Sequence, residues 1–167
     1  HVAAALATAH ACGIIHRDIK PSNLFLVNGS VDKVKVLDFG IARITNATVA
    51  LTYSGSIMGT PGYMAPEQAN GANEIDARAD IFALGCLLFE CITGEPAFGG
   101  THPMAILTKI LFEDAPRLGD CCVGIPPDLD SLVSRMLAKN RQERPRNGQE
   151  VVEALRKVTG ISNVAND

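Results

Sequence analysis

Strong basic charge, long apolar runs, a leader segment and paired cysteines are all missing from this sequence. A formal charge of −3 gives no electrostatic reason to expect nucleic acid or an anionic membrane surface as a partner. No apolar run reaches the roughly 18–20 residues that a spanning helix needs, so no membrane segment is expected in this chain. There is no basic-plus-apolar signal segment, and the first residue is His1 rather than methionine, which suggests a piece of a longer chain. The five cysteines, Cys12, Cys86, Cys91, Cys121 and Cys122, show no paired spacing. Cys86 and Cys91 lie in an apolar stretch and read as buried, reduced thiols. The adjacent Cys121 and Cys122 have no second cluster at ligand spacing, so neither a metal nor a redox site is expected there. A cytoplasmic compartment follows, for a parent protein that a segment outside this chain could still tether to a membrane.

What is present is enough for one folded domain. The chain has 167 residues, 47% of them apolar and 20% charged, which argues against disorder over most of its length. Residues 1–12 are alanine-rich and helix-favouring, Gly13 is placed to stop the helix, and no start signal precedes it. Two short apolar runs, LFLV at 24–27 and VKVLDF at 34–39, flank Asn28-Gly29-Ser30 and predict a small β-hairpin or ribbon. Residues 41–60 are small and polar, with six hydroxyl side chains between Thr45 and Ser56, which predicts a long functional or disordered loop. From Asp76 to Thr93 the sequence is apolar almost all round, predicting a helix buried on most sides. Further helices are expected near 101–112, 128–139 and 147–158, followed by a polar tail at 159–167. The expected fold class is therefore mainly α with a small β-hairpin, over residues 1–158.

The stretch HRDIKPSN at 16–23 gathers a histidine, two cations, a carboxylate and an amide. Moving a phosphoryl group from a nucleotide to a hydroxyl needs a carboxylate to orient the hydroxyl, a cation to absorb phosphate charge and oxygen ligands for magnesium. Asp18 can supply the first and Lys20 the second, while Asn23 and Asp38 offer hard oxygens suited to magnesium.

Taken in order, these motifs resemble the protein kinase family. His16-Arg17-Asp18 with Asn23 five residues after the aspartate is similar to the catalytic loop. Asp38-Phe39-Gly40 is similar to the magnesium motif, and Ala65-Pro66-Glu67 to the end of the activation segment. Each tripeptide alone is a weak signal; their ordered conjunction is a strong one. The resemblance covers essentially residues 1–158 and implies a protein-kinase-like fold, protein substrates, and ATP with Mg2+ as the cofactors. It implies that Asp18 is the catalytic carboxylate, that Lys20 contacts the transferred phosphate, and that Asn23 and Asp38 hold the metal. Thr60, in GTPGYMAPE, would pack beside Asp18 and Lys20. Phe25 would lie beneath the adenine ring. His16 would belong to a hydrophobic spine under Phe39 rather than act as a base, and Asp80 would hold the catalytic loop through its backbone amides. Arg144 would pair with Glu67 to fix the segment's geometry. Arg17 precedes the aspartate as in kinases switched by activation-loop phosphorylation, which makes Thr52, Ser54 and Ser56 the best-placed acceptors. His1, His10 and His102 have no companion ligands and read as ordinary helix or loop residues.

DIKPSN, with its lysine two residues after Asp18, resembles serine/threonine rather than tyrosine kinases. DFGIAR, MAPEQ and TGEPAF look most like the bacterial enzymes of eukaryotic type. The resemblance covers only the carboxy-terminal lobe. No glycine-rich G-x-G-x-x-G loop, no V-A-I-K lysine and no hinge are present in these 167 residues. The missing N-lobe of the same domain is therefore an expected partner, and the chain alone is expected to turn over little or nothing. Two other classes fit the motifs less well. A non-catalytic pseudokinase or docking module needs none of Asp18, Lys20, Asn23 and Asp38. A small-molecule phosphotransferase of related fold is not expected to carry GTPGYMAPE or the Asp80 and Arg144 partners.

Overall fold

A computed structural model describes residues 1–39 and 61–158. Helix α1, Val2–Ala11, buries Ala3, Leu6 and Ala9 on one face. It ends at Gly13, whose φ of 73° is the left-handed conformation glycine adopts without penalty. There Gly13 N donates to His10 O at 3.0 Å and Ile14 N to Ala9 O at 2.9 Å, the two bonds of a Schellman stop. The chain then runs through the loop 14–20 into a 3-10 turn, Pro21–Asn23.

Strands β1, Leu24–Leu26, and β2, Val34–Val36, pair antiparallel, with Phe25 opposite Lys35. The turn between them uses the expected residues, Asn28 at φ 55° and Gly29 at φ 71°, as the left-handed positions of a tight connection demand. After a 3-10 turn at Pro61–Tyr63 comes a one-turn helix α2, Pro66–Ala69.

Helix α3, Arg78–Thr93, is the post of the fold, and Gly94 stops it with φ 78°. Opposite faces of α3 serve two core clusters. Phe82, Cys86 and Phe89 pack with Phe98, Ile110, Leu118, Leu129, Val133 and Leu137. Ile81, Ala83, Leu84 and Leu87 pack with Leu6, Ile19, Leu132, Met136 and Val151. A helix used on two sides must be apolar on both, which is why its sequence shows no clean polar stripe.

Around this post stand α4 (Pro103–Phe112), α5 (Leu118–Cys121), α6 (Pro127–Met136) and α7 (Gly148–Lys157). Helix α7 lies against α1, and Gly148 is what lets its first turn approach. A Cβ there would stand 2.4 Å from Ala7 N and 2.6 Å from Ala3 O.

Two expectations are corrected. The helix expected over 128–139 stops at Met136, because the carbonyls of Ala138 and Lys139 turn to accept from the Arg144 guanidinium at 2.7 and 3.0 Å. Cys91 is exposed while Cys86 is buried; five residues of helix rotate Cys91 to the outer face of α3. Burial pushes the Cys86 thiol well above its ordinary value. No helix of the described residues is long and apolar enough to cross a membrane.

Candidate active site

The loop after α1 is held from below by one buried carboxylate. Asp80, in the first turn of α3, is 1% exposed. Its Oδ2 accepts from His16 N at 2.8 Å and its Oδ1 from Arg17 N at 2.7 Å. A third donor is His10 Nε2, 2.9 Å from Oδ2. The His10 Nδ1 accepts from Gly148 N at 3.1 Å, so the hydrogen-bond network assigns the ring proton to Nε2, where it is donated to Asp80. An isolated buried carboxylate is costly; three N–H donors and a helix N-terminus offset that cost. Sequence reading treated His10 as an ordinary helix residue. Its partner lies 70 residues away, and no local signal announces the pairing.

Holding both amides forces the backbone. Arg17 has φ 68°, a left-handed conformation that for such a residue costs about 1–3 kcal/mol and persists only when its surroundings impose it. The His16 ring is buried. Its Nε2–H donates to Leu37 O at 2.8 Å, and its Nδ1 accepts from Asp18 N at 3.3 Å. The ring centroid lies 4.9 Å from that of Phe39. With both nitrogens engaged, this histidine joins two segments and has no free lone pair for a proton.

Asp18 points its carboxylate into a small polar cluster. Its Oδ2 accepts from Lys20 Nζ at 2.9 Å and from Asn23 Nδ2 at 3.1 Å. The same Asn23 Nδ2 also donates to the Asp18 backbone carbonyl at 2.7 Å. With its NH2 spent on Asp18, the Asn23 amide has its oxygen left as a donor atom for a cation. Asn23 is positioned by the Pro21–Asn23 turn, whose proline presets the first helical φ. Asn23 O accepts from Leu37 N at 2.8 Å, which lays the chain carrying Asp38 alongside the loop that carries Asp18. Asp38 has φ 52°, left-handed like Arg17 and Asn28. One carboxylate and one amide oxygen match the sparse, hard-oxygen set that magnesium takes alongside phosphates and water, so these residues fit the ion.

The segment after residue 60 is anchored by a buried ion pair. Arg144 Nη1 and Nη2 meet Glu67 Oε1 and Oε2 at 2.8 and 2.9 Å. The guanidinium also donates to the carbonyls of Ala138, Lys139 and Arg78, and it lies 4.9 Å from the centre of the Phe82 ring. Every face of the cation is therefore used. Tyr63 donates its hydroxyl to Glu90 on α3; burial and that carboxylate push the phenol well above its ordinary value. Gln68 donates to Arg17 O at 2.9 Å, a contact that sequence reading missed.

Of the other expected residues, Phe25 lies on β1 and is 53% exposed, so it packs into no core. Gly40, Thr52, Ser54, Ser56 and Thr60 lie outside the described residues.

The comparisons with known proteins agree with the motifs. The family model described as "Protein kinase domain" matches residues 1–155. The chain is 41% identical over 147 residues to serine/threonine-protein kinase PknB of Mycobacterium leprae. It is 39% identical over 159 residues to a probable serine/threonine-protein kinase PknB of Corynebacterium glutamicum. To serine/threonine-protein kinase pkn3 of Myxococcus xanthus it is 40% identical over 166 residues. These matches cover 88–94% of this chain and 23–30% of the relatives' own lengths. The chain belongs to the protein kinase domain family, and its relatives are bacterial serine/threonine kinases.

Proposed function

We propose that this chain is the carboxy-terminal, catalytic-loop half of a serine/threonine protein kinase domain, which transfers the γ-phosphate of ATP to hydroxyls of protein substrates. The observation that carries the reading is the geometry at Asp18. Its carboxylate is held by Lys20 and Asn23, and its loop is fastened to the core by Asp80. A docking module would have no use for a lysine and an amide converging on one carboxylate in a strained loop.

In this reading Asp18 orients the incoming serine or threonine hydroxyl and takes its proton. The hydroxyl oxygen bonds to the γ-phosphorus as the bond from that phosphorus to the β-phosphate oxygen breaks, and ADP leaves. Lys20 lies beside Asp18 and would offset charge on the moving phosphoryl group. Asn23 and Asp38 would hold magnesium, which when bound neutralises charge on the phosphates. Thr60 would pack against Asp18 and Lys20. Arg17 would grip a phosphate placed on Thr52, Ser54 or Ser56, which adds nearly two negative charges and so orders the segment.

The nucleotide's other wall would come from a lobe outside residues 1–167. Support comes from the segment on either side of Asp18: Ile14 before the loop and Phe25, Leu26 and Leu37 in and beside the hairpin are large apolar residues left exposed, as surface that such a lobe would cover. Phe25 would then meet the adenine from below. The test is transfer from labelled ATP by residues 1–167 alone and by a protein in which the same residues follow a glycine-rich lobe. The isolated chain is expected to be at least ~1,000-fold slower, because it lacks most of the groups that position the phosphates. A comparable rate from the isolated chain refutes the half-domain reading.

A further inference from the structure

The peptide unit joining Arg17 to Asp18 is held at both ends. Its carbonyl accepts from Gln68 Nε2 at 2.9 Å, and its amide donates to His16 Nδ1 at 3.3 Å. Gln68 is itself fixed. Its Oε1 accepts from Ala65 N, at the start of its own helix α2, at 3.0 Å. This is one half of a capping box; Ala65 has no side-chain acceptor to complete it. Because a backbone N–H occupies the amide oxygen, the NH2 end is the one that faces Arg17. A single side chain therefore ties the anchored segment at 65–69 to the residue whose φ is 68°.

We propose that Gln68 is a positioning residue for phosphoryl transfer. It locks the Arg17–Asp18 peptide plane and so sets the direction of the Asp18 carboxylate. The inference rests on the reading of Asp18 as the catalytic carboxylate. Asp80 holds the amides of residues 16 and 17 but leaves the 17–18 plane free to rotate. His16 restrains that plane through a long bond. Gln68 supplies the short one, and because Glu67 beside it is clamped by Arg144, its backbone cannot drift. The fixed position of the anchor segment is thereby imposed on the 17–18 peptide through the Gln68 side chain.

Gln68→Glu separates this role from simple helix capping. Glutamate keeps the oxygen that accepts from Ala65 N, so the cap survives. It replaces the donor to Arg17 O with a second oxygen, and two acceptors then face each other. Gln68→Met removes both bonds. In the enzyme at its natural length, Gln68→Glu is expected to lower the thermal midpoint less than Gln68→Met does and to leave KM for ATP and protein substrate within about twofold. Its kcat should fall by roughly 10- to 100-fold, the size expected when a reacting group is misdirected by about an ångström. Hydrogen exchange at the Asp18 amide should be at least about tenfold faster, while exchange along α3 stays unchanged. Gln68→Met is expected to lose kcat and thermal midpoint together. A kcat within about twofold of wild type in Gln68→Glu, or unchanged exchange at Asp18, overturns the proposal. Absence of transfer by the wild type would overturn the kinase reading instead, and the exchange comparison, which needs no turnover, still decides whether Gln68 holds the peptide.

Discussion

Asp18→Asn, made in the protein at its natural length, is expected to lower phosphoryl transfer by about 100- to 10,000-fold, the range for removing a positioned acid–base group. The fold should tolerate it. The side chain is 37% exposed, and asparagine can still accept from Lys20 Nζ and from Asn23 Nδ2 through its own amide oxygen. What it cannot do is take a proton from the substrate hydroxyl or carry the charge that orients it. KM for ATP should change little, since in the proposed reaction Asp18 would face the hydroxyl rather than the nucleotide, so the loss should fall on kcat. Steady-state kinetics beside a thermal melt check both halves. Equal activity in the variant, or a loss that merely follows a lowered melting point, would remove Asp18 from its assigned role.

Arg144→Met is expected to cost about 3–5 kcal/mol of folding stability, the range for stranding one partner of a buried ion pair. The estimate follows from what the guanidinium touches. Its side chain is fully buried and that of Glu67 nearly so, so removing the cation leaves a carboxylate with little access to water. Three backbone carbonyls, those of Arg78, Ala138 and Lys139, lose their donors as well. Glu67→Gln should cost less, about 1–3 kcal/mol, because the amide oxygen still accepts one bond and the three carbonyls keep theirs. Urea denaturation of both variants measures the difference. Equal destabilisation would show that the carbonyl bonds contribute nothing beyond the ion pair.

Much of this arrangement is legible in the linear sequence, for reasons that differ by element. Helix α3 is visible because a helix packed on two sides must be apolar all round, and because Gly94 marks its end. The β1–β2 hairpin follows from Asn28 and Gly29, whose left-handed angles few other residues accept. The candidate site residues stand out through the order of short motifs that resemble those of the protein kinase family.

Other features are hidden for an equally physical reason. His10 is recognisable only after α1 has met α7, a meeting that depends on Gly148 having no side chain. Residues 137–139 have a helical composition, yet Arg144 takes two of their carbonyls and ends α6 early. Gln68 looks like an ordinary capping residue until its far end is seen on Arg17 O. The four-residue α5 has too little periodicity to register. In each case a contact made across many residues overrides the local preference.

The central claim is that Asp18, Lys20, Asn23 and Asp38 form a site for phosphorylating serine or threonine in proteins. Its most direct test incubates the natural-length protein with γ-labelled ATP, magnesium and a protein substrate, then hydrolyses the product and identifies the labelled amino acid. Magnesium-dependent label on phosphoserine or phosphothreonine, lost in Asp38→Asn, is the expected result. Label confined to phosphotyrosine or to a small molecule, or no label at all from the wild type, would contradict it.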